Sequence, residues 1–302
     1  MQRNFIIGDK WLYFKIYTGT KTSDRLLSNE IINISEQLTS KEYVDKWFFI
    51  RYADPNYHIR LRYQLVNCEN IFQVINSINI ALKPYVESGM ISTVKVDTYK
   101  RELERYGEDN MEESETLFHN DSIMVGKVLK LLMGDETNDE RSLFCIKSID
   151  RLLNDFRIPE KRRLELLERL KIGFANEFNV DRNVRKQLSK KYSIYKQRIY
   201  DQLTQSPRQY TDIELDRFLD ERTHRNTYVV DSIMCVKGKI NISHDSLLSS
   251  YIHMHCNRLF KSKQRLHEMV IYDFLFQSYK SIIARKKYQN KNFKYSTCAY
   301  VD

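Results

Sequence analysis

VDKWFFIRYADPNYHIRLRYQL, residues 44–65, holds two runs dense in aromatic and β-branched side chains on either side of Asp54-Pro55-Asn56. Such runs favour extended backbone, because branched and aromatic side chains fit a pleated, half-buried surface. Asp, Pro and Asn in succession supply turn chemistry. The stretch therefore reads as a strand from Val44 to Tyr52, a turn, and an antiparallel strand from His58 to Leu65. Side chains alternate across a strand, so Ile59, Leu61, Tyr63 and Leu65 share one face and His58, Arg60, Arg62 and Gln64 the other. The first set is suited to a core. The second gathers two guanidiniums and an imidazole.

Working outward, Lys10–Tyr17 (KWLYFKIY) is a further strand and Ile91–Tyr99 a fourth. Between them, Asp24–Leu38 places Leu27, Ile31, Ile34 and Leu38 at helical spacing, and a second helix spans about 70–86. The order β-α-β-β-α-β is that of a split βαβ, ferredoxin-like unit. Beyond Tyr106 nearly everything has helical period: Met111–Leu132, Arg141–Phe156, Glu160–Phe178, Asp181–Leu203, Asp212–Leu219, Ser243–Phe260 and Ser262–Lys286. Pro159 and Pro207 sit where helices begin or break. The expected fold is α+β, with a small, mostly antiparallel sheet in the N-terminal third covered by a predominantly helical C-terminal region. With no Pro- or Gly-rich linker, one domain over 1–302 is expected, with the sheet within residues 1–106 and the helical region over residues 107–302.

The chain has 302 residues with only 8 Gly and 4 Pro, which fits few loops and much helix. Cys68, Cys145, Cys235, Cys256 and Cys298 are scattered and odd in number, a pattern of reduced thiols rather than a disulfide framework or metal site. No run approaches the roughly 18–20 apolar residues of a membrane span, and the N-terminus lacks a signal-peptide pattern. A cytoplasmic protein without metal or organic cofactor is expected. A net charge of +9 favours acidic partners. The tail Arg285–Lys294 (RKKYQNKNFK) mixes bases with aromatics, as a solvated tail or an RNA contact would.

Three segments hold residues capable of chemistry. In the strand His58–Leu65, Arg60 and Arg62 repel one another unless an anion lies between them, and guanidinium fits carboxylate or phosphate bidentately. After the fourth strand, Arg101 in YKRELERY projects over the sheet edge or joins a salt-bridged turn with Glu102, Glu104 and Arg105. In Ser246–Phe260, Leu248, Ile252, His255, Cys256 and Leu259 form an apolar stripe, while Ser246, Ser249, Ser250, His253 and Asn257 form a polar one. His255 reads as a hydrogen-bonded core histidine. His253 is the better acid or base, with Asn257 one turn away to orient it. No GxGxxG, P-loop, GxSxG or HExxH motif is present.

Taken in order, Trp11–Gly19 (WLYFKIYTG), Trp47–Arg62 (WFFIRYADPNYHIRLR), Tyr99–Gly107 (YKRELERYG), Met111–Ser122 (MEESETLFHNDS) and Ile252–Phe260 (IHMHCNRLF) resemble the C-terminal elimination domain of lantibiotic dehydratases. The "thiopeptide-type bacteriocin biosynthesis" proteins belong to the same family, and the resemblance covers about residues 9–280. It implies a stand-alone enzyme that expels glutamate from glutamylated Ser or Thr of a precursor peptide, leaving dehydroalanine or dehydrobutyrine. A separate tRNA-dependent protein would add the glutamate, and a homodimer is possible. Family roles in elimination fall on Arg62, Arg101 and His253, with Arg60, His58, Asn257 and His255 as substrate-binding neighbours. Two alternatives stay open: a pericyclic pyridine synthase on the same fold, and a non-catalytic peptide- or RNA-binding subunit.

Overall fold

Alternation and helical period set the elements of the computed structural model, which describes residues 1–134, 139–205, 209–235 and 242–298. Pro207 and the tail side chains beyond residue 289 lie outside the described residues. The chain opens with β1 (Asn4–Phe5) and β2 (Trp11–Thr18). Helix α1 (Thr20–Arg25) passes through a π-helical turn (Leu26–Ile31) into α2 (Ile32–Ser40). β3 (Val44–Ala53) and β4 (Tyr57–Leu65) follow, then α3 (Ile71–Glu87), β5 (Ile91–Asp97) and β6 (Tyr99–Lys100). The rest is helical: α4 (Leu103–Tyr106), α5 (Met111–Leu131), α6 (Asp139–Asp155), α7 (Glu160–Glu177), α8 (Arg182–Thr204), α9 (Tyr210–Cys235), α10 (His244–Leu259) and α11 (Gln264–Cys298).

Four strands form an antiparallel sheet in the order β3-β4-β2-β5, the order of a split βαβ unit, and β1 pairs with β6. The protein is α+β, as the sequence implies. Ile59, Leu61, Tyr63 and Leu65 are fully buried, and Tyr63 is tied to α2 through a 2.9 Å bond with Ser35. Leu27, Ile31, Ile34 and Leu38 are all buried at the spacing that predicts their helix. Helix α5 crosses that helix so closely that a Cβ on Gly126 would lie 2.8 Å from Ile32 Cδ1. Pro159 N-caps α7, with φ near −63°.

One helix runs much further than its apolar pattern suggests. Asp212–Leu219 is only the start of α9, which continues to Cys235. Its buried face reads Leu215, Phe218, Leu219, Arg222, Asn226, Val229, Val230 and Ile233. The period never breaks. Arg222 and Asn226 occupy core positions and interrupt the hydrophobic signal, not the helix.

The chain divides into two compact units. Met1–Arg141 with Gln209–Gln264 holds the sheet, α5, α9 and α10; Ser142–Arg208 with Arg265–Asp302 holds α7, α8 and most of α6 and α11. Within the second, Phe174 and Tyr272 meet edge to face at 5.1 Å. Among the described residues no helix is long and apolar enough to cross a membrane.

Candidate active site

The polar face of β4 is not an open surface. His58, Arg62 and Gln64 are all buried, and only Arg60 remains half-exposed. Arg62 pairs in register with Tyr13 on β2 and Phe48 on β3. Its guanidinium lies 4.5 Å from the ring of Tyr13, 4.8 Å from Tyr99 and 5.2 Å from Phe48. Nε has no hydrogen-bond partner, and no carboxylate among the described residues pairs with Arg62, which is 7% exposed. Cation–π contacts contribute about 0.5–2 kcal/mol each. Removing an ion from water costs several kcal/mol even after relaxation. Three rings therefore leave the charge under-compensated. An anion delivered to Arg62 would complete it.

Next along the strand, Arg60 stacks on Tyr52 at 3.4 Å and donates from Nε to His58 Nε2 at 3.2 Å. His58 must then carry its proton on Nδ1, which lies 2.9 Å from the Asn56 carbonyl. Burial lowers the His58 pKa, and the charges of Arg60 and Lys15 add to that, so the imidazole is a neutral acceptor that orients Arg60. Tyr17 flanks the ring at 4.7 Å. The opposed residue on β2, Lys15, is paired with Asp97. This stretch of the face is basic and partly open.

Arg101 is placed differently. Pairing of β1 with β6 anchors its backbone, with Arg101 N donating to Arg3 O at 2.9 Å. Its guanidinium grips Glu115 on α5 through Nε at 2.8 Å and Nη2 at 2.7 Å, and Nη1 donates to Gln2 O at 3.2 Å. Glu115 also accepts from the Tyr99 hydroxyl at 2.8 Å, and the Tyr99 ring lies against Arg62. The structure thus joins Arg62 and Arg101 through Tyr99, one cation unpaired and the other held by a buried carboxylate.

Helix α10 divides its polar residues between two tasks. Asn257 accepts from Arg51 N and donates to Arg51 O, both at 2.8 Å, as a neighbouring strand would. Its amide is committed to the backbone of β3 rather than to His253. His255 Nδ1 meets Asp121 Oδ1 at 2.9 Å, and Arg258 and Arg222 approach the same carboxylate at 3.1 and 3.5 Å. Burial raises the Asp121 pKa, but His255 and the two guanidiniums outweigh it and hold the carboxyl well below the usual range. Burial lowers the pKa of Arg258 against the pull of Asp121, and the charge of Arg62 adds to that lowering. Arg258 packs 5.0 Å from the Phe118 ring, which is 5.4 Å from Phe48 and so next to the Arg62 cage. His253 is half-buried on the stripe of Ser250 and Asn257. At about 100° per residue it points roughly 200° away from His255, so the two histidines work on different faces.

Two members of the polar cluster beneath the site, Asp121 and Arg258, carried a sequence signal, whereas Glu115 did not. Asp121 falls on the stripe Leu117, Met124, Val128, and Arg258 on the stripe Tyr251, His255. A charge at an apolar stripe position implies a buried, partnered ion.

Comparison with known proteins follows the same segments. The family model "Lantibiotic biosynthesis dehydratase C-term" matches residues 11–279. The subtilin biosynthesis protein SpaB of Bacillus subtilis is 26% identical over 272 residues, 87% of this chain and 25% of SpaB. The nisin biosynthesis protein NisB of Lactococcus lactis subsp. lactis is 33% identical over 132 residues, 43% of this chain and 13% of NisB. The chain thus spans about a quarter of SpaB's length. Among solved structures, the tRNA-dependent lantibiotic dehydratase MibB from a Microbispora species superposes with TM-score 0.70 at 19% identity, covering 92% of this chain and 29% of MibB. TbtD, a pyridine synthase from thiomuracin biosynthesis, superposes with TM-score 0.65 at 10% identity, covering 91% of this chain and 99% of TbtD. These two likenesses concern the fold.

Proposed function

The chain belongs to the lantibiotic biosynthesis dehydratase C-terminal family, and we propose that it eliminates glutamate from glutamylated Ser or Thr of a peptide. The carrying observation is Arg62, a buried guanidinium caged by three aromatic rings and with no carboxylate partner among the described residues. Elimination breaks the Cα–H bond, forms the Cα=Cβ bond and breaks Cβ–O, and the electron pair leaves with the glutamyl carboxylate. Negative charge therefore grows where Arg62 can receive it as a two-pronged donor. Arg60, steered by neutral His58, is a second receptor for the anionic glutamyl group. Glu115 holds Arg101, and through Tyr99 it braces the cage. His253 is assigned the role of proton carrier because it is half-buried, faces away from the buried ion cluster, and an imidazole nitrogen can both accept and donate a proton.

A second reading, pyridine formation from two dehydroalanines, is favoured by one observation: the chain matches TbtD over 99% of TbtD's length. That reaction releases no glutamate and gives an uncompensated Arg62 no carboxylate to meet. The test is a synthetic peptide bearing a glutamyl ester on one serine, incubated with the protein and weighed intact by mass spectrometry. Loss of the glutamyl unit with formation of dehydroalanine is expected, and Arg62→Lys should slow it about 100-fold, as loss of one geometric donor does. An untouched ester, together with ring formation from a peptide carrying two dehydroalanines, would replace elimination with cycloaddition.

A further inference from the structure

The second unit holds a cavity of about 820 Å³ among α7, α8 and α11, formed wholly by its own residues. Its walls are apolar and aromatic, including Ile172 and Val180, Leu188 and Tyr192 on α8, and Phe276 on α11. Five cations also line it: Lys171, Arg185, Lys196, Lys280 and Arg285, against one acid, Asp273. Asp273 is already occupied, by Lys171 at 2.7 Å and Gln277 at 2.6 Å. The other four cations are exposed and have no carboxylate partner among the described residues. Arg285 instead lies over the Tyr200 ring at 4.2 Å. Helix α8 carries seven Lys and Arg and a single acid, Asp201. The surplus is local.

We propose that this cavity docks an acidic amphipathic peptide segment, whose apolar side chains enter the groove while its carboxylates meet Arg185, Lys196, Lys280 and Arg285. Charge complementarity fixes the sign of the partner. The apolar interior favours a peptide over a nucleic acid, because a phosphate backbone needs a basic track along its length, whereas here the cations rim a hydrophobic hollow. Like-charged side chains around an apolar groove are what a helix with an apolar face and acidic flanks would complement. The proposal does not depend on the elimination chemistry assigned to the other unit.

The test selects binders to the full chain from a displayed library of random 16-residue amphipathic peptides, then measures the enriched sequences by fluorescence anisotropy. Enrichment of Asp and Glu beside apolar residues at helical spacing is expected, with affinity falling as salt is raised. The double variant Arg185→Glu/Lys196→Glu should weaken binding at least tenfold. Both residues are exposed, so circular dichroism should be unchanged, and Ala175→Trp, which fills the groove, should weaken binding without altering charge. No acidic enrichment, or enriched peptides that bind both variants as well as the unmodified chain, would overturn the proposal. So would a single-stranded RNA oligonucleotide that competes more tightly than every selected peptide. Elimination of a glutamyl ester is assayed separately, with Arg62→Lys, so failure of one reading leaves the other measurable.

Discussion

Two buried arginines that resemble each other in sequence differ in what their removal should do. Arg101 shares two hydrogen bonds with Glu115, so Arg101→Met strands a buried carboxylate. Breaking a buried pair from one side costs about 3–5 kcal/mol. Arg62 has no such partner, and Arg62→Met removes an under-compensated charge while keeping much of the volume against Tyr13, Phe48 and Tyr99. Its stability should hold or rise, and elimination should collapse. Chemical denaturation of the two variants checks this directly. If Arg62→Met is destabilised as severely as Arg101→Met, Arg62 is a structural residue and its candidacy as anion receptor ends. Only half of the distinction was legible in sequence. Alternation alone placed Arg60 and Arg62 on one face of β4. The partner of Arg101 lies 14 residues on, across a strand-to-helix junction, where local patterning has no reach.

Sheet edges are templates for unwanted pairing, and the edge strand β3 is closed by side chains instead of another strand. His119 Nδ1 lies 3.1 Å from Trp47 N and 2.9 Å from Trp47 O, so its tautomer decides which of the two it bonds, while Phe49 N donates to Ser122 Oγ at 3.3 Å and Arg51 N to Asn257 Oδ1 at 2.8 Å. On the acceptor side, Arg258 Nε donates to Phe49 O at 2.9 Å. Helices α5 and α10 are thereby pinned to the strand that neighbours β4. This explains why a polar helix face ending in Asn257 resembles a site when read alone: its amide serves packing through the backbone. The strands, the helices α2, α5 and α10 and their buried stripes followed from period two and period 3.6. Closure of an edge by side chains leaves no periodic trace, and in α9 Arg222 and Asn226 keep the helical period but interrupt its hydrophobic signal. Asn257→Ala should leave the donor and acceptor of Arg51 unmet, at a cost of about 1–3 kcal/mol. Hydrogen exchange at the Arg51 amide should accelerate, while amides between β4 and β2 stay protected. Unchanged exchange at Arg51 would mean that Asn257 does not hold the edge.

At the scale of the whole molecule, four described groups in the unit that holds the sheet have pKa values lowered on folding. Burial lowers the His119 pKa to about 4, below the ordinary 6.5, so the folded state resists its protonation. Burial lowers that of His58 too. At Asp24 burial opposes ionisation, but Arg51 and Arg141, at 2.6 and 2.7 Å, outweigh it and lower the pKa. Asp121 is lowered by its own three partners. A depressed folded pKa gives stability that is present above the unfolded value and lost as pH falls towards the folded one. All four groups therefore act in one direction, but in two windows. His119 withdraws stability between about pH 6.5 and 4, His58 acts in the same direction as pH falls below about 6.5, and the carboxylates act only below about pH 4. Acidification should loosen β3 and α5, which hold Arg51, His119 and Asp121, before it reaches α8 in the other unit. Hydrogen exchange at pH 7, 5 and 4 resolves the order, with faster exchange at Phe49 expected at pH 5 and little change at Ile199. His119→Gln keeps an acceptor for Trp47 N and removes the titrating group, so its exchange at Phe49 should depend less on pH across the first window. Equal acid sensitivity in β3 and α8, or an unchanged pH slope in His119→Gln, would place the acid-labile group elsewhere.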